Sequence, residues 1–162
     1  MSKKELNDYT KFFQNNPNPG FWGIELLRDA LLKDVLSEDI HDILYWAGKN
    51  LAIKFPIHTA DLPTFFQQSQ FGILDLKSGS ESKSIFNLTG PEVQTRLNID
   101  KDADFMLETG FIAQTIQQNS GFETEAEYKI KRKDIIEITV ISDISRQILD
   151  PNEIHLIELN QA

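Results

Sequence analysis

Residues 122–131 alternate strictly between charged side chains and apolar or small ones, and this pattern restricts the fold more than any other in the chain. The uncharged set consists of Phe122, Thr124, Ala126, Tyr128 and Ile130, and every residue between them is Glu or Lys. A period of two predicts a β-strand with one buried and one solvated face. The charged turn at 131–134 and the β-branched run at 135–141 complete a predicted antiparallel hairpin, which covers a core on one side.

A second hairpin is predicted from residues 71–77 and 84–89, with Ser78-Gly79-Ser80 in the turn. Its inward-facing side chains are expected to be Leu74 and Leu76 opposite Phe86 and Leu88. Helical patterns precede each hairpin. The sequence therefore predicts an α+β fold, in which an antiparallel β-sheet built from two hairpins packs against a layer of α-helices.

The helices are predicted from apolar residues that recur at a spacing of three or four. Over residues 23–36 the recurring set, expected to face the core, is Ile24, Leu27, Leu31 and Val35. Over residues 37–55 the expected buried stripe is Ile40, Ile43, Leu44, Ala47, Leu51 and Phe55. The last long helix is expected to start at an N-cap on Asp104 and to end at Gly121.

The length of 162 residues suits one domain with its own core. Because Pro17, Pro19 and Gly20 interrupt regular structure, residues 1–20 are predicted to form a loosely attached arm. Residues 21–142 are predicted to form the α+β domain. Residues 143–162 are apolar in patches and are interpreted as a tail that adds an edge strand or a dimer contact, and both alternatives stay open.

Composition excludes several classes of function. The formal charge of −9 argues against binding to nucleic acid, because polyanion binding depends on Lys and Arg contacts. The chain has no cysteine, which excludes disulfides, thiolate metal sites and cysteine nucleophiles. No run of eighteen apolar residues predicts a membrane span, and the polar first residues lack a signal-peptide core. A cytoplasmic location is the expectation.

No metal site or cofactor is predicted. The three histidines, His41, His58 and His155, share no ligand spacing. Asp100, Asp102 and Asp104 resemble the start of a calcium loop, but the positions that require Gly and a bidentate Glu hold Phe105 and Phe111. These aspartates are better interpreted as a solvated loop that leads into a helix cap.

No motif for catalysis is found, since the chain has no nucleophile elbow, phosphate-binding loop or dinucleotide fingerprint. A non-enzymatic protein is therefore expected. The basic run at 129–133 is interpreted as a solvated hairpin tip, with docking of an anionic partner as the alternative.

Six residues are the candidates for a ligand site, and they combine small residues on amphipathic helices with aromatic side chains. They are Trp46, Gly48, Phe66, Glu108, Gly110 and Phe111. Glycine within a helix is unfavourable, so packing or a ligand is expected beside Gly48 and Gly110. If Glu108 faces inward, it is expected to have a raised pKa and to anchor a ligand; if it faces outward, it is merely solvated. For most of the 11 phenylalanines, a place in the ordinary core is the simpler interpretation.

Four segments resemble the YslB-like proteins of low-GC Gram-positive bacteria, and the likeness covers about residues 22–142. They read GIELLRD at 23–29, LYWAGK at 44–49, GPEV at 90–93 and ETGFIAQ at 108–114. More distantly, a helix with Thr-Gly-Phe-Ile-Ala before an alternating strand and a basic turn is similar to the four-vinyl-reductase and TRAPP-type ligand-binding fold. That resemblance implies a sheet packed on helices, frequent dimerisation and an apolar cavity. The cysteines that carry metal or lipid in that fold are missing here, so those roles do not transfer.

Three hypotheses follow. The first is a non-enzymatic domain that binds a small hydrophobic ligand between helices and sheet. The second is a homodimeric scaffold or adaptor without a ligand, which associates through tail residues such as Ile154, Leu156 and Leu159. The third is an enzyme that uses Glu108 with another carboxylate, and it requires a polar cleft around that residue.

Overall fold

A computed structural model describes residues 19–132 and 134–159. The predicted arm therefore lies outside the described residues, apart from Pro19 and Gly20, which start the first helix. This helix, α1, consists of an α-helical part, Pro19–Glu25, a π-helical part, Leu26–Leu32, and a final α-helical turn, Lys33–Leu36. A 3₁₀ turn, Ser37–Asp39, connects α1 to the next helix.

Four further α-helices follow among the described residues, and the last of them has its N-cap at Phe105, one residue after the predicted Asp104. They are α2 (Ile40–Lys54), α3 (Leu62–Gln68), α4 (Pro91–Ile99) and α5 (Met106–Ser120). At the start of α5, Asp104 Oδ1 accepts a hydrogen bond of 2.7 Å from the Met106 amide. At its end, Gly121 adopts φ +85°, where a side chain would be strained, and donates its N–H to Gln117 O.

Both predicted hairpins form, and together they make one four-stranded antiparallel sheet in the order β1-β2-β4-β3. The strands are β1 (Ile73–Gly79), β2 (Lys83–Thr89), β3 (Phe122–Arg132) and β4 (Ile135–Gln147). Leu74 pairs with Leu88 and Leu76 with Phe86, as the sequence predicts. The inward orientation predicted for Leu76 is wrong, because its side chain is 59% exposed, whereas Leu74 is buried. The predicted α+β fold with an antiparallel sheet against helices is confirmed.

The outer edge of the sheet at β3 is partly covered by side chains from the helices. The Thr124 amide donates to Gln117 Oε1 on α5 at 3.1 Å, and the Ala126 amide donates to the Tyr45 hydroxyl on α2 at 3.1 Å. The Tyr45 hydroxyl in turn donates to Glu125. These bonds use amide groups that an edge strand otherwise offers to another strand.

The core lies between the inner face of the sheet and helices α2 to α5. The sheet contributes mainly Leu74, Phe86, Leu88, Ile136, Ile138 and Val140, all buried. The helices and loops contribute Ala52, Ile57, Leu62, Phe66, Val93, Leu97, Ala103, Phe105, Phe111 and Ile112. Burial of these apolar side chains supplies the main driving force for folding.

The orientation predicted for α1 is wrong. Leu27, Leu31 and Val35 are 58%, 51% and 66% exposed, whereas Glu25 and Arg28 are buried. The helix thus turns its charged side inward. Two physical reasons explain the difference: the charged groups find partners on α4 and α5, and the π-helical part breaks the period of 3.6 on which the apolar set was chosen.

The buried stripe predicted for α2 is right only in part. Leu44 is buried and Leu51 packs against the core, but Ile43 and Phe55 are exposed. Ala52, which was not predicted to belong to the stripe, is fully buried. Lys49 is buried instead, with its ammonium group 2.7 Å from Glu125 Oε1.

The C-terminal residues lie against the body of the same chain. Strand β4 runs past the predicted boundary at residue 142 and ends at Gln147. Beyond it, Ile157 forms an isolated parallel bridge with Ile57, and its amide donates to Pro56 O at 2.6 Å. Leu159 packs against the core, and Ile154 and Leu156 are half-buried, so this chain itself covers much of their apolar surface. The division into arm, domain and tail stays a prediction.

Candidate functional site

The structure does not bring the six predicted site residues together around one space. Trp46 is 64% exposed on α2. Gly48 and Gly110 lie where α2 crosses α5. Phe66 and Phe111 belong to the core, and Glu108 is fully buried in a network of charged groups. Three different environments are therefore present, and each has its own chemistry.

The two glycines are explained by contact between helix backbones. A Cβ atom on Gly48 would lie 2.1 Å from Leu107 O, and one on Gly110 would lie 2.1 Å from Tyr45 O. Each glycine thus lets the facing helix approach to a distance that no side chain permits. Of the two alternatives, packing or a ligand, the facing backbone supports packing at both positions.

The two phenylalanines pack against other aromatic rings. Phe111 stacks on Phe65 with ring centroids 4.4 Å apart, and Phe66 meets Phe71 edge-on at 5.5 Å. Both geometries are favourable for aromatic pairs within a core. Their burial is accounted for by these contacts.

Glu108 lies on α5 and is held by two arginines. Arg28 of α1 donates to both of its carboxylate oxygens, at 2.5 Å and 2.9 Å, and Arg96 Nη1 of α4 lies 3.5 Å from Oε1. Burial alone would raise the pKa of Glu108, but the positive charges of Arg28 and Arg96 and the hydrogen bonds from Arg28 outweigh it, so the pKa is lowered. The raised pKa expected for an inward-facing Glu108 is therefore wrong: its carboxylate is ionised and paired.

Arg96 connects α4 to α1 and to the start of α5. Its Nε and Nη2 donate to the two carboxylate oxygens of Asp29 at 2.7 Å and 2.9 Å, and Nη2 also donates to Asp104 O at 2.5 Å. The guanidinium plane lies 4.3 Å from the centroid of the Phe105 ring. Burial acts to raise the pKa of Asp29, but the charge and hydrogen bonds of Arg96 prevail and lower it.

Glu25 is the fifth member of this network and the only one of the five without a charged partner of its own. It is fully buried, and with the carboxyl group ionised neither oxygen receives a hydrogen bond. Burial, and then the negative charge of Asp29 one helical turn away, raise its pKa to about 8. When protonated, the Glu25 hydroxyl can donate to Asp29. We call Glu25, Arg28, Asp29, Arg96 and Glu108 the ionic cluster.

Sequence reasoning found Glu108 but missed the other four members of the ionic cluster. Glu25, Arg28 and Asp29 recur at helical spacing, which is a visible signal, but a charged stripe beside an apolar one is normally assigned to solvent. Arg96 and Asp29 are 67 positions apart, and nothing in a single sequence pairs them. The buried partners on α4 and α5 reverse the usual assignment.

A second feature, outside the cluster, is the apolar surface of the first two helices. We define the outer face as Leu27, Leu31 and Val35 of α1 with Ile43 and Trp46 of α2, all of them exposed. Four exposed acidic residues lie on or between the same helices: Asp34, Glu38, Asp39 and Asp42. The first two helices and their connection thus expose both apolar and acidic side chains.

Residues 19–132 and 134–159 lack two features, a group of metal ligands and a membrane-spanning helix. In this part of the chain, no three His, Asp or Glu side chains are grouped so as to hold a metal ion. Nor do these residues include a helix of the length and hydropathy that crossing a bilayer requires.

Comparison with known proteins places the chain in a family. A family model described as "Protein of unknown function (DUF2507)" matches residues 21–141, which contain the whole ionic cluster. The chain is also 38% identical to "Uncharacterized protein YslB" of Bacillus subtilis (strain 168) over 125 residues, which is 76% of this chain and 84% of that protein. The predicted YslB-like resemblance is thereby confirmed, while the more distant TRAPP-type likeness stays a prediction. The chain belongs to the DUF2507 family.

Proposed function

We propose that this chain is a non-enzymatic protein-interaction module, which binds a basic amphipathic helix of another protein on the outer face. The observation that carries the proposal is the exposure of Leu27, Leu31 and Val35 along one helix whose charged side is buried. In an ordinary surface helix these two sides are reversed.

Exposed apolar side chains are costly when they are grouped. Full burial of a Leu or Val side chain stabilises a protein by about 1.5–3 kcal/mol relative to leaving it in water. Single exposed hydrophobic residues are common, but grouped ones usually mark a contact with another molecule. On α1 three such side chains lie within nine residues, and Ile43 and Trp46 follow on the next helix.

The charges around the outer face favour a basic partner. Asp34, Glu38, Asp39 and Asp42 are all exposed, and the chain as a whole carries a formal charge of −9. A helix with an apolar stripe and flanking Lys or Arg would bury its stripe on the leucines and bring its positive charges to these carboxylates. A second copy of the same chain would bring like charges together instead, and this repulsion disfavours a homodimer through this face.

The two other binding hypotheses make different demands. A small apolar ligand between helices and sheet requires space in the interior, and the backbone contacts of Gly48 and Gly110 and the stacked rings of Phe65 and Phe111 occupy the places where the sequence suggested it. A homodimer through the tail requires free apolar side chains there, whereas Leu159 packs on its own core. Native mass spectrometry of the purified chain tests both, since a bound adduct or a doubled mass would be seen directly.

The proposal is tested by titrating the full chain with a fluorescent model helix built only from leucine and lysine in an amphipathic order. We expect saturable binding, which weakens about tenfold or more in Leu31→Ser because a central apolar contact is lost. Ile144→Ser is the matched control, since Ile144 is similarly exposed but lies on β4, and it should bind like the parent.

A second peptide with glutamate in place of lysine tests the charge argument and should bind much more weakly. Equal binding of both peptides, or equal binding by Leu31→Ser and the parent, would overturn the proposal. If the chain instead dimerises in sedimentation experiments and Leu31→Ser abolishes the dimer, the occupant of the outer face is a second copy, and the basic-helix assignment is wrong.

A further inference from the structure

In the part of the chain that the structure describes, charged side chains make three ion pairs between helix α1 and the rest of the protein. Its large apolar residues Leu27, Leu31 and Val35 point away from the body, and Phe21 is its one buried apolar side chain among the described residues. Arg28 binds Glu108 of α5 and Asp29 binds Arg96 of α4, and Lys33 adds an ion pair to Asp100. The state of the ionic cluster therefore decides how firmly α1 is held.

The groups that face Glu25 come from three helices. From α1 itself they are Asp29 and Arg28, from α4 Arg96, and from α5 Glu108, which shares both arginines. Two arginines face two paired carboxylates, so the cluster carries no net charge as long as Glu25 is neutral. An ionised Glu25 would add one negative charge that has no hydrogen-bond donor of its own in a fully buried position.

We propose that α1 is a proton-dependent latch, which docks on α4 and α5 when Glu25 carries a proton and loosens when Glu25 loses it. With the proton, the Glu25 hydroxyl donates to Asp29 and leaves both arginine pairs intact. Without it, two neighbouring carboxylates compete for Arg96. We expect α1 to move in response, so that Glu25 reaches water and no longer competes with Asp29 for Arg96.

The titration has a definite direction. The pKa of Glu25 is raised from 4.5 to about 8, mainly by burial, so the docked state holds a proton that the released state does not. The stabilising effect is complete below pH 4.5 and is lost as the pH rises through about 8. Asp29 and Glu108 act in the opposite direction: their pKa values are lowered, and their contribution is lost only in acid, below their ordinary values of 3.8 and 4.5.

The backbone of α1 is consistent with a movable element. Arg28 and Asp29 both lie in the π-helical part, Leu26–Leu32, immediately after Glu25. π-Helical turns are uncommon and occur frequently at functional positions. The latch does not depend on the outer face having a partner, because it concerns only contacts within the chain.

The test follows the one tryptophan on α1. In a Trp46→Phe background, which removes the exposed tryptophan of α2, Trp22 alone reports on the environment of α1. Acrylamide quenching of Trp22 is measured from about pH 5 to pH 10, a range that spans the expected midpoint near 8. We expect quenching to increase through this midpoint while the far-ultraviolet circular dichroism of the sheet and core is retained.

Two variants decide the result. Glu25→Gln keeps a donor for Asp29 but cannot ionise, so its quenching should stay low and independent of pH. Glu92→Gln removes a half-buried carboxyl from the first turn of α4, outside the ionic cluster, and should behave like the parent. A transition that persists in Glu25→Gln, or no transition in the parent, would overturn the latch. Should Glu25→Gln fail to fold, ¹³C NMR of the parent's glutamate carboxyl groups decides directly: one must titrate near pH 8, and the latch fails if all titrate below pH 6.

Discussion

Two helix contacts in this protein are built on opposite principles. Where α2 crosses α5, Gly48 and Gly110 bring the backbones together, with Cβ positions that would lie 2.1 Å from the opposite carbonyl oxygens. Where α1 meets α4 and α5, charged side chains lie between the helices and hold them through Asp29, Arg96 and Glu108. The first contact depends on shape, and the second depends on protonation and complete pairing.

This difference teaches how each contact should respond to change. A close-packed backbone contact tolerates no added atom but is insensitive to pH. A buried ionic contact tolerates no missing partner, because removing one leaves an uncompensated charge, and its strength follows the titration of its members. Substitutions can therefore separate the two contacts cleanly.

The largest effect is expected from Arg96→Met, which leaves Asp29 without its bidentate partner and Glu108 with Arg28 alone. Breaking a buried charge pair from one side costs about 3–5 kcal/mol. The free energy of unfolding in urea measures it. Arg146→Met is the control, because the exposed Arg146–Glu123 pair, 2.8 Å long, should contribute less than about 1 kcal/mol. Equal losses in both variants would contradict the importance assigned to the cluster.

The next effect concerns the backbone contact. Gly110→Ala places a methyl group against Tyr45 O, so we expect the free energy of unfolding to fall by about 2–3 kcal/mol through overpacking. Gly23→Ala provides the comparison, since its Cβ would have no atom within 4 Å, and it should stabilise the chain by about 0.5–1 kcal/mol. If Gly110→Ala is neutral, α2 and α5 are not held at this distance.

The third prediction concerns pH: the stability of the ionic contact of α1 should depend on pH, whereas that of the backbone contact between α2 and α5 should not. Between pH 5.5 and 7 the raised pKa of Glu25, about 8, lowers the stability of the parent by on the order of 2 kcal/mol. Glu25→Gln should remove this dependence, and Gly110→Ala should leave its slope unchanged. Urea unfolding at several pH values measures both slopes. A parent whose stability rises over this interval would contradict the sign.

The smallest effect is expected on the outer face. Val35→Ser should change the free energy of unfolding by less than about 0.5 kcal/mol, since Val35 is largely exposed. The same substitution at the fully buried Val93 of α4 should cost about 2 kcal/mol or more. A large loss in Val35→Ser would show that another part of the chain covers this face.

The strands could be predicted from the sequence because alternation specifies the element and most of its buried face, although Leu76 of β1 is exposed. The register of Leu74 with Leu88 and of Leu76 with Phe86 followed from the same pattern. The end of α5 was equally local, since Gly121 adopts the left-handed conformation that its position requires. These features depend on neighbours in the sequence, and tertiary contacts did not override them.

The orientation of α1 and the members of the ionic cluster could not be predicted, because they depend on partners distant in the chain. Arg28 and Glu108 are separated by 80 positions, and only their pairing makes burial of either one favourable. The crossing glycines were noticed, but a sequence does not tell whether a backbone or a ligand fills the adjacent space. Of the ionic cluster, only Glu108 was therefore predicted as a candidate site residue, and its four charged neighbours were not.

The side-chain cover on β3 limits how the sheet can be enlarged. Gln117 and Tyr45 already occupy the amides of Thr124 and Ala126, so an incoming strand would have to displace both before it could hydrogen-bond along this border. A fibril grows by adding strands, and this requires that new strands can pair with both edges of the sheet. In this protein one flank is obstructed by its own helices, which protects the folded chain against open-ended stacking.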